Sequence, residues 1–492
     1  MTVKIYNTLN NRKEEFVQRN SGKVEMYVCG PTTYNLIHLG NARPLIVFDT
    51  VRRYFEYIGN HVTYVQNFTD IDDKIINRAK EEGSDPLALA AKYIKEYYKD
   101  ASALGVRPAN VHPKVSEHLP EIIEMIQGII DNGYGYVVNG DVYFAVSKFA
   151  GYGRLSGRRL EDMMAGARID VDERKGHPMD FALWKAAKPG EPEWDSPWGK
   201  GRPGWHIECS AMAKKYLGMG FDIHGGGFDL IFPHHENEIA QAEACEKCGP
   251  FARYWMHNGF ITINEEKMSK SLGNFFTVRE ILDKYDPEIV RFYMLSTHYR
   301  SPLDFDDTKL EMNKKSLARL HNALDNIESS LNGLSFGPNG TSVDNNVIDI
   351  IGDFKKAMEK TEGEFRAAMD DDFNTALAIA SLFDLAREAN TLIKVFSDNT
   401  SKPLPGEAKN VLEEVKSQMY RLGEVLGLFE RRGAAGKDES GMVEKLVNLF
   451  IEMRQEARAK KDWAAADAIR DKLGGIGIII EDTPQGVRWK QK

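Results

Sequence analysis

Three clusters of residues in this 492-residue chain have types and spacings suited to chemistry. The first is Phe232-Pro233-His234-His235-Glu236-Asn237-Glu238. With Pro233 in the first turn of a helix, His234 and Glu238 stand at i and i+4 on one helical face, where both reach a single ion. Zinc takes Cys, His and carboxylate ligands in tetrahedral geometry. His235, His224 and the pair Cys245 and Cys248 are rivals for the remaining places, and spacing alone leaves that open. Cys245-Glu246-Lys247-Cys248 is half of a structural zinc pattern, but no second C-x-x-C completes it. The second cluster is His38-Leu39-Gly40-Asn41, and the third is the phosphate-type run Lys267-Met268-Ser269-Lys270-Ser271.

The elements that must position these residues are legible around the second cluster. Lys23 to Val28 alternates and carries β-favouring residues, which predicts a strand. Leu45, Ile46, Phe48, Val51, Phe55 and Ile58 recur at helical spacing until Gly59. His61 to Phe68 predicts a second strand, completing a βαβ unit with Gly30-Pro31 in the turn. His38-Leu39-Gly40-Asn41 then sits at the mouth of the helix, whose open amides favour phosphate. Gly40 lets a flat ring or a phosphate approach the backbone. Past the second strand, Asn67 to Lys74 is a polar, acidic turn at the carboxyl end of a parallel strand, where open α/β sheets place ligand contacts. It also suits a helix start capped by Thr69 or Asp70.

The bulk numbers set the frame. A chain of this length holds several domains, and 42% hydrophobic with 28% charged residues is ordinary globular composition. No apolar run approaches a membrane span and the N-terminus lacks a signal-peptide pattern, so no membrane partner and a cytoplasmic location are expected. Four cysteines do not make a disulfide framework. The net charge of −9 argues against nucleic-acid binding only as an average, since 431–492 carries 13 Lys/Arg against 10 Asp/Glu.

A nucleotide-binding βαβ unit followed at long range by K-M-S-K-S resembles the class I aminoacyl-tRNA synthetases. Gly204-Trp205-His206-Ile207-Glu208-Cys209-Ser210, His224-Gly225-Gly226-Gly227, Pro233 to Glu238 and Lys267 to Asn274 narrow the resemblance to the cysteinyl-tRNA synthetase family. The likeness covers essentially the whole chain. It implies an α/β fold: a Rossmann-type doubly wound parallel-sheet catalytic domain with an insertion, then an α-helical bundle and a small C-terminal domain.

The resemblance also implies roles. One zinc would be held by Cys29, Cys209, His234 and Glu238, in the amino-acid pocket. Trp205 and His224 would wall that pocket, and Thr69 would help hold the amino acid. Zinc binds a soft thiolate well and a serine hydroxyl poorly, which answers the problem of telling two near-isosteres apart. His38, Gly40 and Lys270 would bind ATP with its magnesium, and catalysis would fall to His38, Asn41, Lys267 and Lys270. Asn41 departs from the histidine that usually ends the first motif; it donates a hydrogen bond but carries no charge. The implied substrates are ATP, L-cysteine and tRNA(Cys), and the chain is expected to act as a monomer.

The expected divisions are 1–120 and 204–265 for the two halves of the catalytic domain, with a short insertion at 121–203. The K-M-S-K-S loop and stem-contact region takes 266–306, an anticodon-proximal helical bundle 307–430, and a small tRNA-binding domain 437–492. Long helices are expected over Lys309–Ile327, Val347–Glu362, Asn374–Val395 and Glu407–Leu428. In the last domain Val443, Leu446, Val447, Phe450 and Ala457 form one helical stripe, a strand covers Ile476 to Ile480, and Trp489 suits either base stacking or a core. Three other functions are weighed. A cysteine ligase to an amino sugar lacks the full anticodon region, a zinc hydrolase leaves His38 and the lysine loop idle, and a non-catalytic RNA-binding protein would tolerate damaged motifs.

Overall fold

A computed structural model describes residues 2–161, 174–263, 266–267, 276–338, 345–398, 403–430, 440–475, 477–483 and 486–491. The chain divides into two units, Met1–Leu428 and Phe429–Lys492.

The first unit opens on a hairpin of β1 (Lys4–Asn7) and β2 (Arg12–Glu15). The βαβ unit follows as β3 (Lys23–Val28), α1 (Leu39–Tyr57) and β4 (His61–Gln66), with β3 and β4 parallel. Helix α1 buries residues on most of its faces, including Leu45, Ile46, Phe48, Val51 and Phe55, because sheet and bundle flank it. Next come α2 (Asp73–Glu82) and α3 (Pro86–Ala103). The cap of α2 is Asp72, which accepts from the Lys74 amide at 2.8 Å. Thr69 and Asp70 are not free to cap: the Thr69 hydroxyl donates to Glu208 Oε2 at 2.9 Å, and Asp70 accepts from Ser116.

Helix α4 (Leu119–Asp131) leads into an antiparallel sheet of β5 (Gly135–Val138), β6 (Asp141–Phe144), β7 (Phe181–Ala186) and β8 (Gly201–Pro203). The chain then returns to the parallel sheet through α5 (Trp205–Leu217), β9 (Phe221–Gly227), α6 (Glu236–Glu246) and β10 (Ala252–Asn258). The order is β10-β9-β3-β4, all parallel. Strand β3 therefore connects onward to β4 on one side and lies beside the late strand β9 on the other. That is a topological switch point, and ligands bind at the carboxyl ends of strands there. One core joins the sheets: Tyr27, Val65, Phe144, Trp184, Met212 and Trp255 belong to a single buried cluster.

A small sheet of β11 (Ile261–Ile263), β12 (Glu266–Lys267) and β13 (Leu303–Phe305) brackets α7 (Val278–Leu282) and α8 (Pro287–Leu295). Four long helices follow: α9 (Asp307–Gly333), α10 (Asn345–Asp370), α11 (Thr375–Asp398) and α12 (Gly406–Val425). A buried ionic knot ties them to α1 and α8. Asp49 of α1 accepts from Arg53 at 2.7 Å and from Arg291 of α8 at 2.5 Å, while Arg291 also donates to the Leu426 carbonyl after α12 at 2.6 Å.

The second unit holds α13 (Ser440–Ala459), α14 (Trp463–Gly475) and a hairpin of β14 (Ile478–Thr483) and β15 (Gly486–Gln491). Its core is Val447, Ile451, Leu473 and Ile478, with Trp489 packed against it. The buried face of α13 runs through Val447, Ile451 and Arg454, whereas Leu446 and Phe450 of the expected stripe are exposed. Among the described residues no helix is long and apolar enough to cross a membrane.

Candidate metal centre and nucleotide cleft

The carboxyl ends of β3, β9 and β10 open into a cleft of about 310 Å³. Cys29, His38, Gly40 and Asn41 line it from the turn after β3, Trp205 from the start of α5, Gly227 to Leu230 after β9, and Asn258 to Ile261 after β10. The turn is compelled by Gly30, where an added Cβ would lie 1.7 Å from the Asn67 carbonyl oxygen. The same Asn67 accepts from the Gly30 amide through Oδ1 at 2.9 Å, locking the turn to the end of β4.

At the mouth of α1, the His38 amide donates to Asn41 Oδ1 at 3.2 Å, so the neutral Asn41 closes the first turn. Pro44 lacks the amide that would bond back to Gly40, and both residues line the cleft. The Leu39 amide donates to the Phe276 carbonyl at 3.2 Å and the Val278 amide to Ile37 at 2.9 Å. Lys267 ends β12, paired with Thr262. The strand that enters the lysine-rich run is thus described to Lys267, and the described chain resumes at Phe276, tethered at the helix mouth. Lys270 lies outside the described residues.

Beneath the cleft two overlapping sets of side chains bring metal-binding atoms within 4.8 Å of one another: Cys29, Cys209, His234 and Glu238, and Cys29, His224, His235 and Glu238. Cys29 Sγ is 3.7 Å from Cys209 Sγ, 3.4 Å from Glu238 Oε1 and 3.3 Å from His235 Nε2. His234 Nε2 is 3.1 Å from Glu238 Oε1, and His224 Nε2 is 2.8 Å from Glu238 Oε2. Both rivals of the second set are therefore at hand. Cys245 and Cys248 belong to neither set. Pro233 does not open α6 as expected: it follows a cis bond from Phe232 inside a π-helical turn, Ile231–His235. That turn still leaves His234 and Glu238 facing one another.

Further histidines orient the nitrogens. His234 Nδ1 pairs with His206 Nδ1 at 2.9 Å, and His235 Nδ1 with His257 Nε2 at 2.8 Å. His257 in turn meets the Thr8 hydroxyl at 2.8 Å. In both cases Nε2 is left toward the cluster, the arrangement by which a second partner fixes an imidazole tautomer. Burial pushes the Glu238 carboxyl up, but His224 and His234 outweigh it and bring it down to about 2. Burial pushes His234 down, and the Glu238 charge with the Cys209 thiol carries it up to about 10. Cys209, pushed up by burial, is brought to about 6 by its contacts with Cys29 and His234. Burial holds His257 down at about 3, so it stays neutral. Two thiols, an imidazole and an ionised carboxylate are a zinc-type donor set.

The residues expected around the substrate occupy different depths. Trp205 stands at the cleft wall, 38% exposed, stacked on His234 with centroids 4.4 Å apart. His224 is wholly buried, stacked on Trp255 at 4.5 Å. Thr69 is buried and bonded to Glu208, whose own carboxyl burial holds well above the ordinary range. Asn67 heads the polar turn expected to contact ligand, but its hold on the Gly30 amide has no signal in the sequence. His257, one histidine within β10, was not singled out and carries no motif of its own.

Comparison with known proteins places the whole chain. Residues 15–315 match the family model described as tRNA synthetases class I (C) catalytic domain, 364–430 the DALR domain, and 443–489 the cysteinyl-tRNA ligase anticodon binding domain. The chain is 60% identical over 491 residues to a cysteine–tRNA ligase of Heliobacterium modesticaldum, covering 100% of both chains. It is 60% identical over 498 residues to that of Pelotomaculum thermopropionicum, again covering 100% of each. Methionyl-tRNA synthetase of Mycobacterium tuberculosis, bound by methionyl-adenylate, shares the fold with a TM-score of 0.59 at 14% identity, over 82% of this chain and 90% of that one.

Proposed function

The chain belongs to the class I cysteine–tRNA ligases, and from that premise we propose that the cluster under the cleft is its cysteine-selecting centre. It is an ATP-dependent enzyme that joins cysteine to tRNA. The reading assigns one zinc to Cys29, Cys209, His234 and Glu238. One observation carries it: Cys29 both belongs to the metal-binding set and lines the cleft that begins at His38. Cys29 is common to both sets, and His234 is favoured over His224 and His235 because it stacks on the cleft-wall Trp205, whereas the other two pack against the buried Trp255. Bound zinc would offer a position that prefers a thiolate to a hydroxyl, which is the difference between cysteine and serine.

The protein residues do the positioning. Trp205 and His224 wall the side-chain pocket, and Thr69 helps hold the amino acid. His38, Gly40 and Asn41 hold the triphosphate and adenosine at the mouth of α1, where amides and helix dipole favour anions. The cysteine carboxylate attacks the α-phosphorus, pyrophosphate leaves, and Lys267 and Lys270 neutralise the charge that builds on it. Magnesium accompanies the nucleotide. A ribose hydroxyl of the tRNA terminal adenosine then attacks the activated carbonyl and AMP departs. The divisions given above (1–120, 121–203, 204–265, 266–306, 307–430 and 437–492) are proposed as the working parts.

Pyrophosphate exchange into ATP, without tRNA, tests the reading. Exchange driven by cysteine and not by serine, and lost in Cys209→Ser, supports it. Equal exchange with serine, or an unaffected variant, refutes it.

A further inference from the structure

Segment 149–158 lies between β6 and β7 of the antiparallel sheet and reaches across to the turn that carries His234. Leu155 anchors it: the side chain is buried in the core cluster, and Phe149 and Tyr152 pack against that cluster. Gly153 and Gly157 take positive φ, 94° and 67°, and bend the segment on either side of the anchor. Four contacts run from it to the metal-bearing stretch. The Arg158 guanidinium lies over the Phe232 ring, 4.8 Å from its centroid. The Ser156 amide donates to Glu236 Oε2 at 2.9 Å, and the Tyr152 hydroxyl to Asn237 Oδ1 at 2.6 Å. Arg154 pairs with Glu243 further along α6. Positions 232, 236 and 237 bracket His234 and abut Glu238, so half of the proposed zinc set belongs to the stretch they hold.

That stretch has few means of holding itself. Phe232 is extended inside the turn, at φ −139° and ψ 130°, so helical bonding is interrupted there. Pro233 has no amide to donate. Glu236 and Asn237 are polar side chains only 1% and 2% exposed, and buried groups of this kind need partners, which Ser156 and Tyr152 supply. Gln241 Nε2 donates to the Asn237 carbonyl at 2.9 Å and to the His206 carbonyl at 3.0 Å. The start of α6 is thus bound through Gln241 to α5, which carries Cys209, and through Glu236 and Asn237 to segment 149–158.

We propose that Tyr152 and Arg158 are positioning residues for the metal centre. They set where His234 and Glu238 stand relative to Cys29 and Cys209, and so how tightly the site holds zinc and how well it takes a thiolate. Neither side chain lines the cleft or belongs to a metal-binding set; each acts through the stretch it fixes, as partners behind metal ligands do. The segment thereby takes part in selecting cysteine. The inference rests on the zinc assignment given above.

The test compares Tyr152→Phe, which removes one oxygen, Arg158→Leu, which removes the cation over Phe232, and the double variant. Three properties are read: zinc retention against graded chelator, ligand-field absorption of the cobalt-substituted form, and the KM values for cysteine and ATP in tRNA-free pyrophosphate exchange. The double variant should release zinc at about tenfold lower chelator concentration. Its cobalt bands should shift and its KM for cysteine should rise about tenfold, with the KM for ATP unchanged. Arg158→Lys keeps a cation over the ring and should behave as wild type. Should the double variant not fold, Tyr152→Phe alone carries the same expectation at smaller size. A lowered melting temperature with zinc retention, cobalt bands and the cysteine KM unchanged would show a merely structural role and overturn the proposal. Wild-type protein that retains no zinc would instead overturn the metal assignment beneath it.

Discussion

The Nε2 of His224 stands 2.8 Å from Oε2 of Glu238, both wholly buried. One oxygen of this ionised carboxylate is thereby committed to an imidazole N–H. The other, Oε1, is left toward His234 and Cys29. A group that holds a ligand's second atom sets its direction and basicity, which makes His224 a positioning residue in this account and Glu238 the donor.

Metal retention should separate the two sets. His234→Ala should fail to hold stoichiometric zinc, while His235→Ala should keep it. His224→Ala should still bind, with affinity lowered about 10–100-fold. Zinc content after dialysis against graded chelator checks all three. Loss in His235→Ala with retention in His234→Ala would move the ligand role to the rival set.

His38 works at the helix mouth and not in the metal cluster, so the two functions should divide cleanly. His38→Ala should slow pyrophosphate exchange about 10²–10³-fold, the usual loss for one preorganised transition-state donor. Its zinc content and the KM for cysteine should match wild type. A slowing below twofold, or loss of metal, would contradict the assignment.

Two glycines make opposite predictions. Gly30→Ala would drive a methyl into the Asn67 carbonyl; it should lower stability by about 1–3 kcal/mol or more and abolish exchange. Gly363 lies exposed within α10 with nothing within 4 Å of an added Cβ. Gly363→Ala should therefore stabilise by about 0.5–1 kcal/mol. Thermal melts of both variants check the pair.

Burial raises the Asp49 carboxyl, but Arg291 and Arg53 outweigh it and hold it below the ordinary aspartate range. A carboxyl lowered by folding contributes stability above its unfolded pKa of about 3.9, and loses it as pH falls through that value toward the folded one. Asp49→Asn removes the carboxylate charge between two buried guanidinium groups, leaving them only neutral acceptors, and should cost about 3–5 kcal/mol at neutral pH. Urea midpoints should fall less steeply in the variant than in wild type between about pH 5 and about pH 2. Parallel profiles would contradict this.

Periodic apolar spacing made the parallel βαβ unit and the bundle helices legible, although α1 buries a nearly continuous run because it is flanked on most sides. Helix α14 was not anticipated, because Trp463-Ala-Ala-Ala-Asp is nearly all small residues and it buries only Ala466 and Leu473. The cap of α2 fell to Asp72 because tertiary partners had claimed Thr69 and Asp70. The convergence of Cys29 and Cys209, 180 residues apart, lies in the strand order β9-β3, which no local spacing encodes. Only their matching motifs brought them together before the fold did.

The most direct measurement is the absorbance of the cobalt-substituted enzyme in its thiolate charge-transfer region, with cysteine or serine added. The account predicts intensity for two protein thiolates, a further increase with cysteine but not serine, and a loss of one thiolate's share in Cys209→Ser. No change with cysteine, or a full spectrum in Cys209→Ser, would contradict the claim that these side chains present a metal to the substrate sulfur.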